Sequence, residues 1–242
     1  MEKLNILSID FDFFQNVSAE VMLSCYPDGI DLPTSLTIMT WASHYGHPET
    51  EKKLMRITPK IEMIEELKSI ISQNCDKNTP MMAANSHVHI YDFIKEQIDI
   101  HNPKSVYIAN LDMHHDCFNS DTELDCGNWV GYAMKDFPNC QVQWIANPIS
   151  KEIYDFDETE FLPAKTDLSI IKDKHFDAVF LCRSDTWLPP HLDESFDDLL
   201  YYLVSRFPNN KVEKCIQNPR DMEEHIEMEK KLREMYIKRK VE

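Results

Sequence analysis

The sequence predicts an α/β fold of three layers (α/β/α), with a mainly parallel sheet between two layers of helices. Short continuous apolar runs recur along the chain, and helical patterns lie between them. Continuous apolar runs are typical of strands covered on both faces, and their alternation with helices is typical of this architecture. Because the chain has 242 residues and no linker-like stretch, we expect one domain over residues 1–242.

The elements follow in order. The expected strands cover residues 4–9, 81–84, 105–111, 141–146 and 177–182. The expected helices cover residues 59–73, 90–101, 128–137 and 193–207, and an amphipathic packing helix covers residues 220–240. Pro59 after Thr58 predicts the start of the first of these helices, because proline suits the first helical position. Residues 15–58 show no clean period, so we expect loops and short helices over one end of the sheet.

The composition narrows the class of protein. Forty-two acidic and 25 basic residues give a net charge of −17, which argues against nucleic-acid or anionic-membrane partners and suits a cationic substrate. The seven cysteines include no CxxC pair, so the sequence predicts neither a disulfide framework nor a zinc ribbon. This cysteine pattern fits a protein of a reducing compartment. The chain has no apolar window of roughly 18 residues and no signal-like N-terminus. We therefore expect a cytoplasmic protein.

Acidic and histidine residues follow three of the apolar runs. Asp10 and Asp12 follow the first run, His87 and His89 the second, and Asp112, His114 and Asp116 the third. Ligands of open α/β sheets bind beyond the carboxyl ends of the strands, and residues two apart share one face of an extended chain. Four carboxylates in one pocket would repel one another unless a cation neutralised them. The pattern therefore predicts a metal site, suited to manganese, another divalent first-row ion or zinc.

These motifs resemble those of a known family. "DMHHD" at residues 112–116, "DFD" at residues 10–12 and His87 in "NSHVHIYDF" are similar to the metal-binding motifs of the arginase-like ureohydrolase superfamily. They resemble most its peptide-arginase branch, whose members convert arginine side chains of ribosomally made precursor peptides into ornithine as a post-translational modification. "GNWVGYAM" at 127–134 and "RSDTWLPP" at 183–190 are similar to two further stretches of that branch.

The resemblance implies an arginase/deacetylase-like sheet and two Mn²⁺ ions per chain. Asp112 and Asp10 would bridge the ions. His87 and Asp116 would complete one site, and His114 and Asp12 would complete the other. The expected catalytic residues are Asp116, which would pass a proton, and His114. The partner would be an arginine-containing peptide, and the reaction would release urea.

Two features depart from the family pattern. The "DxD" motif comes first in this chain and late in ordinary arginases, which implies a circularly permuted strand order. Enzymes that act on free arginine carry a histidine just after a "GN" pair, where this chain has Trp129 or Val130. The proton shuttle is therefore absent or supplied elsewhere.

The roles of other residues stay open at this stage. His89 is either an additional metal ligand or a residue that orients one, and His115 is expected to face away and support the strand from behind. Glu49, Glu51 and Asp185 are candidate partners for a guanidinium group, and Asn119 and Asn128 are candidate substrate contacts.

Three alternatives remain. The same site can serve free arginine, agmatine or another small guanidine. A deacylase of the deacetylase type would keep one zinc ion, held by two aspartates and a histidine. A non-catalytic module would use a structural metal and bind a basic peptide. The peptide sequence and the oligomeric state are not determined by these patterns.

Overall fold

The computed structural model describes residues 1–27, 31–118, 122–154, 163, 165–216 and 220–241. The strands are β1 (Lys3–Asp10), β2 (Gln15–Asn16), β3 (Thr58–Pro59), β4 (Met81–Ala84), β5 (Ser105–Asp112), β6 (Cys140–Ala146), β7 (Ala178–Cys182) and β8 (Asn210–Val212). The α-helices are α1 (Ala19–Cys25), α2 (Thr34–Gly46), α3 (Pro48–Leu54), α4 (Ile61–Asn74), α5 (His89–His101), α6 (Trp129–Asp136), α7 (Ser150–Ile153), α8 (Asp193–Arg206) and α9 (Glu223–Val241). Short 3₁₀ turns include Phe11–Phe14, which directly follows β1.

The central sheet has the strand order β6-β5-β1-β7-β4-β8. Each pairing between these neighbours is parallel, which confirms the predicted parallel sheet. The five apolar runs form β1, β4, β5, β6 and β7. Edge strand β8 was not predicted, because its sequence "NKV" is largely exposed and carries no apolar run.

Alternation along β1 explains the three layers. Leu4 and Ile6 point to one face of the sheet, where they pack with residues of α5 and α6. Leu7 and Ile9 point to the opposite face, where they pack with residues of α4 and α8. Both faces of the strand are therefore covered, as its continuous apolar sequence predicted.

Strand register brings the polar ends of the central strands to one level. Ile9 of β1 lies opposite Leu111 of β5, so the next residue of each strand, Asp10 and Asp112, emerges at the same edge. Asp10 also lies opposite Cys182 of β7. This edge is the one at which an open parallel sheet binds its ligands.

The start of α4 differs from the sequence expectation. Thr58 and Pro59 form β3, which pairs antiparallel with β2, and the helix begins at Ile61. The backbone N–H of Lys60 donates to the carbonyl of Phe14 at 2.7 Å. Pro59 therefore ends a short strand and does not open the helix, because a partner strand was available that local sequence does not reveal.

The C-terminal helix α9 packs against α2, as predicted. It is not amphipathic, however, because its apolar residues Met228, Leu232, Met235 and Tyr236 are exposed. Gly46 of α2 permits the close approach, since a Cβ atom there would lie 2.7 Å from the Cβ of Glu229. No helix within the described part of the chain is long and apolar enough to cross a membrane.

Candidate metal centre

Asp10 and Asp12 reach the centre from the end of β1. Oδ1 of Asp10 accepts a hydrogen bond from the backbone N–H of Asp12 at 3.1 Å, and this contact opens the turn Phe11–Phe14. Oδ1 of Asp12 accepts the backbone N–H of Met113 at 3.0 Å. The turn therefore carries Asp12 towards the end of β5, where its second oxygen is left for another partner.

Asp112, the last residue of β5, lies between two imidazoles. Its Oδ2 lies 3.0 Å from Nδ1 of His87. Its Oδ1 accepts the backbone N–H of His114 at 2.7 Å and lies 3.7 Å from Nδ1 of the same residue. Each oxygen of this carboxylate thus faces a different histidine.

His87 precedes α5 and presents Nδ1 to three carboxylates. The distances are 3.3 Å to Oδ2 of Asp10, 3.0 Å to Oδ2 of Asp112 and 2.9 Å to Oδ2 of Asp116. Nε2 of His87 is hydrogen bonded to Oγ of Ser8 at 2.8 Å. A partner on one ring nitrogen fixes the tautomer and leaves the other nitrogen as a ligand.

The side chains form two candidate ligand sets that share Asp112. One set is Asp10, His87 and Asp112, and the other is Asp12, Asp112 and His114. The ligand atoms of each set lie within 4.8 Å of one another, and each set includes carboxylate oxygens and an imidazole nitrogen. Nδ1 of His114 lies 2.9 Å from Oδ2 of Asp12.

Asp116 joins the first set through a turn. Its backbone φ of 49° lies in the left-handed region, so the chain has left the extended conformation of β5. Its Oδ2 accepts the indole N–H of the buried Trp129 at 2.7 Å. Trp129 in "GNWVG" therefore orients a carboxylate.

Burial and mutual repulsion make the centre costly without a cation. Burial, reinforced by neighbouring carboxylates, raises the pKa of Asp12 and raises the pKa of Asp116 to about 8. Burial opposes charge on His87, but the three carboxylates around it raise its pKa overall. Burial also opposes charge on Asp112, but the two imidazoles hold its pKa below the ordinary value. Without a metal, several groups of the buried cluster therefore hold protons more tightly than usual.

The donor atoms fit a divalent metal ion. Oδ2 of Asp12 and Nδ1 of His87 are buried and are not assigned a hydrogen bond. Another candidate ligand atom lies about 3 Å from each of them. Adjacent ligands of one ion lie about 3 Å apart when each metal–ligand distance is about 2.1 Å. The centre can therefore hold a metal ion.

The expected alternation along extended strands does not explain how these residues meet. β5 ends at Asp112, and His114 and Asp116 follow in a turn. His89 is the first residue of α5, and its Nδ1 lies 3.7 Å from Oε1 of Glu213. It belongs to neither ligand set.

His115 belongs to neither ligand set. Its Nδ1 accepts the backbone N–H of Cys117 at 2.9 Å, and its ring packs 4.2 Å from Phe118 and 4.9 Å from Tyr154 between ring centroids. Burial lowers the pKa of His115 to about 4, so it is neutral near pH 7. It supports the aromatic wall behind the centre.

A cavity of about 530 Å³ opens onto the ligand residues Asp10, His87, His114 and Asp116. Much of its remaining lining is apolar or aromatic: Met22, Leu23, Tyr26, Pro27, Phe118, Tyr154 and Trp187. Polar lining comes from Thr122, Asp125, Cys126, Asn128 and Ser184. The cavity therefore connects the candidate metal centre to a mainly apolar wall.

The candidate substrate residues fall in different places. Asn128 touches the cavity, but its side chain is used within the loop, accepting the N–H of Asp125 and donating to Thr122. The carboxylate of Asp185 pairs with the buried guanidinium of Arg183 and is not part of the cavity lining. Asn119 lies outside the described residues.

Glu49 and Glu51, the other carboxylates considered for a guanidinium group, lie in the first turn of α3. Neither belongs to the cavity lining. With Asp185 bound to Arg183, none of the three carboxylates suggested by the sequence faces the metal centre.

Some supporting residues carried a signal in the sequence. Ser8 is a polar residue within the apolar run of β1 and shares a face with Asp10, which places it behind His87. Tyr154 and Asp125 lie outside the strands, where periodicity carries no information about orientation. No protein-family model, curated protein or solved structure matches this chain.

Proposed function

We propose that this protein is a hydrolase with two manganese ions that converts arginine side chains of a peptide into ornithine and releases urea. The observation that carries the proposal is the position of Asp112, which is common to two ligand sets that each contain an imidazole. Two ions that share a carboxylate are typical of dinuclear hydrolases. Oxygen ligands with one imidazole for each ion suit manganese. The arginine substrate follows from the resemblance of the motifs.

The ligands divide between the two ions as follows. Asp112 and Asp10 would bridge both ions. His87 and Asp116 would complete one site, and His114 and Asp12 would complete the other. Hydrogen bonds hold two of these ligands, because Ser8 is bonded to the far nitrogen of His87 and Trp129 donates to Oδ2 of Asp116. Only Asp112 is common to both ligand sets, whereas Asp10 belongs to one. When bound, the metal pair supplies an activated water and neutralises the carboxylates.

The chain itself contributes a group for proton transfer. Asp116 lines the cavity next to the ligand set, so its carboxylate can take a proton from the attacking water and give it to the departing nitrogen. Water adds to the guanidinium carbon, the bond from that carbon to the side-chain nitrogen breaks, and urea and an ornithine side chain result.

Charge in the cavity favours an arginine within a peptide over free arginine. Among the described residues, no lysine or arginine lines the cavity. The α-carboxylate of a free amino acid would therefore lack a cationic partner, whereas a residue inside a peptide carries no such charge. The apolar wall, including Tyr26 and Trp187, offers a surface for the methylene groups of the side chain.

The test compares a peptide with the free amino acid. Manganese-loaded protein is incubated with acetyl-Ala-Arg-Ala-amide or with arginine, and urea is measured together with peptide mass. We expect urea and a mass loss of about 42 Da from the peptide, the difference between arginine and ornithine in this hydrolysis. Urea from free arginine alone would support a small-guanidine hydrolase instead. One tightly bound ion per chain and no urea would contradict the dinuclear proposal.

A further inference from the structure

We infer that Asp125 receives the cationic head of the substrate and determines the preference of this cavity for cations. The identity of that cation as an arginine side chain rests on the proposed function, whereas the role of Asp125 is argued from its own surroundings. Asp125 lies just before α6 and lines the same cavity as His87 and Asp116. No sequence motif had indicated it.

The loop that carries Asp125 is held in place by its own hydrogen bonds. Oδ1 of Asp125 accepts the backbone N–H of Gly127 at 2.8 Å, and the N–H of Asp125 donates to Oδ1 of Asn128 at 2.9 Å. Asn128, which is 1% exposed, donates in turn to Oγ1 of Thr122 and to the carbonyl of Glu123. The carboxylate is therefore preorganised at the cavity wall.

One oxygen of this carboxylate remains for a ligand. The contact with Gly127 is made by Oδ1 of Asp125. Within the described part of the chain, Oδ2 of Asp125 has no hydrogen-bond partner. The other acidic residues that the structure describes near the loop are used differently. Asp31 accepts a hydrogen bond from Ser86, and Glu123 is exposed and outside the cavity lining.

The charges around the cavity determine the sign of that ligand. The four carboxylates of the centre balance the four positive charges of two divalent ions, and these carboxylates are Asp10, Asp12, Asp112 and Asp116. Asp125 adds a negative charge that no lysine or arginine among the described lining residues offsets. A site with a surplus negative charge favours a cation.

The same cavity opens onto the candidate metal centre. His87 is 2% exposed and lines the cavity, and its Nδ1 is buried without a hydrogen-bond partner. A substrate held between this metal centre and Asp125 would place its reactive carbon at the ions and a positively charged nitrogen at Oδ2. Because a single free oxygen can accept either a guanidinium or an ammonium group, binding selects a cation and the chemistry selects arginine.

The experiment separates charge recognition from turnover. The manganese-loaded full chain is studied as wild type, as Asp125→Asn and as the control Glu123→Gln, which removes the same charge from an exposed position of the same loop. Asparagine retains an oxygen for the N–H of Gly127. Acetyl-Ala-Arg-Ala-amide is used for kinetics, and calorimetry gives the Kd of the lysine and citrulline analogues, one cationic and one neutral.

We expect Asp125→Asn to raise both the KM of the arginine peptide and the Kd of the lysine peptide by about 10-fold, the loss of one charge-assisted hydrogen bond. Binding of the citrulline peptide and the manganese content are expected to stay constant, and Glu123→Gln should change none of these values. Equal KM and Kd in wild type and Asp125→Asn would overturn the inference. So would a loss of manganese in this variant, or failure of wild type to bind either cationic peptide.

The outcome also distinguishes this inference from the proposed function. If wild type binds the lysine peptide through Asp125 but releases no urea from the arginine peptide, the role of Asp125 stands and the proposed reaction is wrong. If wild type releases urea and Asp125→Asn does so with the same KM, the reaction stands and the inference is wrong.

Discussion

Asp112 and His87 meet at the metal centre, where Oδ2 of the carboxylate lies 3.0 Å from Nδ1 of the imidazole. The other oxygen of Asp112 faces His114, at 3.7 Å from its Nδ1. The carboxylate of Asp112 is thus common to the two ligand sets. Its removal should affect both sets together.

Asp112→Asn is expected to abolish manganese binding at the centre. The amide is neutral and is a weaker ligand, so affinity should fall by more than the roughly 10- to 100-fold that loss of a supporting residue causes. Metal analysis after dialysis measures the stoichiometry. Asp99→Asn, the same change on the exposed side of α5, is the control and should bind manganese like wild type. Retention of both ions by Asp112→Asn would refute the shared-ligand arrangement.

Trp129→Phe is expected to weaken metal binding through Asp116. The substitution keeps a buried ring but removes the indole N–H that Oδ2 of Asp116 accepts at 2.7 Å. We expect a loss of about 10- to 100-fold in manganese affinity, measured by calorimetry. Trp41→Phe is the matched control, because Trp41 is equally buried and donates to the backbone carbonyl of Asp185. It should lower thermal stability without changing the affinity, so equal affinity losses in the two variants would count against a specific role for Trp129.

Asp185→Asn is expected to destabilise the fold and leave the site intact. Asp185 pairs with the guanidinium of Arg183, which is 1% exposed, so the change removes the carboxylate of a buried ion pair. Such a loss costs about 3 kcal/mol of unfolding free energy. Chemical denaturation measures it. A raised KM at unchanged stability would instead restore Asp185 as a substrate contact.

Manganese affinity is expected to rise with pH. In the metal-free chain, burial raises the pKa of Asp12 and raises that of Asp116 to about 8, and nearby carboxylates raise the pKa of His87. These groups hold protons that a metal must displace, so binding releases protons. Calorimetry in buffers of different ionisation enthalpy measures this release. Affinity that does not change between pH 6 and pH 8.5 would contradict the prediction.

The same raised pKa values predict how the stability of the metal-free protein changes with pH. A raised pKa contributes stability that is complete below the unfolded value, about 4 for a carboxyl and about 6.5 for an imidazole. That contribution is lost as the pH rises through the folded value, which is about 8 for Asp116. The Tm of the metal-free protein should therefore fall from pH 5 to pH 8.5, and the increase in Tm on adding manganese should grow. A metal-free Tm that rises over this interval would contradict the assignment.

The sequence predicted the sheet well because its signal is local. Apolar runs such as residues 177–182 cannot be exposed, so they identify buried strands without knowledge of their partners. The pairing of β3 with β2 could not be predicted, since it joins Thr58 and Pro59 to a segment far along the chain. The periodicity of apolar residues predicted which residues are buried, but it did not predict the antiparallel pairing of β2 with β3.

The residue types and their positions after the strands predicted a candidate metal centre. They did not predict how its side chains are oriented. Strand ends located Asp10 and Asp112 because their register is continuous with an apolar strand. His114 and Asp116 lie beyond that register, and the positive φ of Asp116 was not indicated by its sequence. Asp125 was missed because its orientation depends on hydrogen bonds within a loop, which have no period.

His115→Phe is expected to leave manganese binding intact, unlike His114→Phe. His115 is neutral near pH 7, because burial lowers its pKa to about 4, and its ring packs between Phe118 and Tyr154. Phenylalanine preserves that packing and removes only the acceptor for the N–H of Cys117, at a cost of about 1 kcal/mol. His114→Phe removes a ligand of the second set and should halve the bound manganese. Metal analysis and thermal unfolding of both variants test this contrast, and equal metal losses would show that His115 is also a ligand.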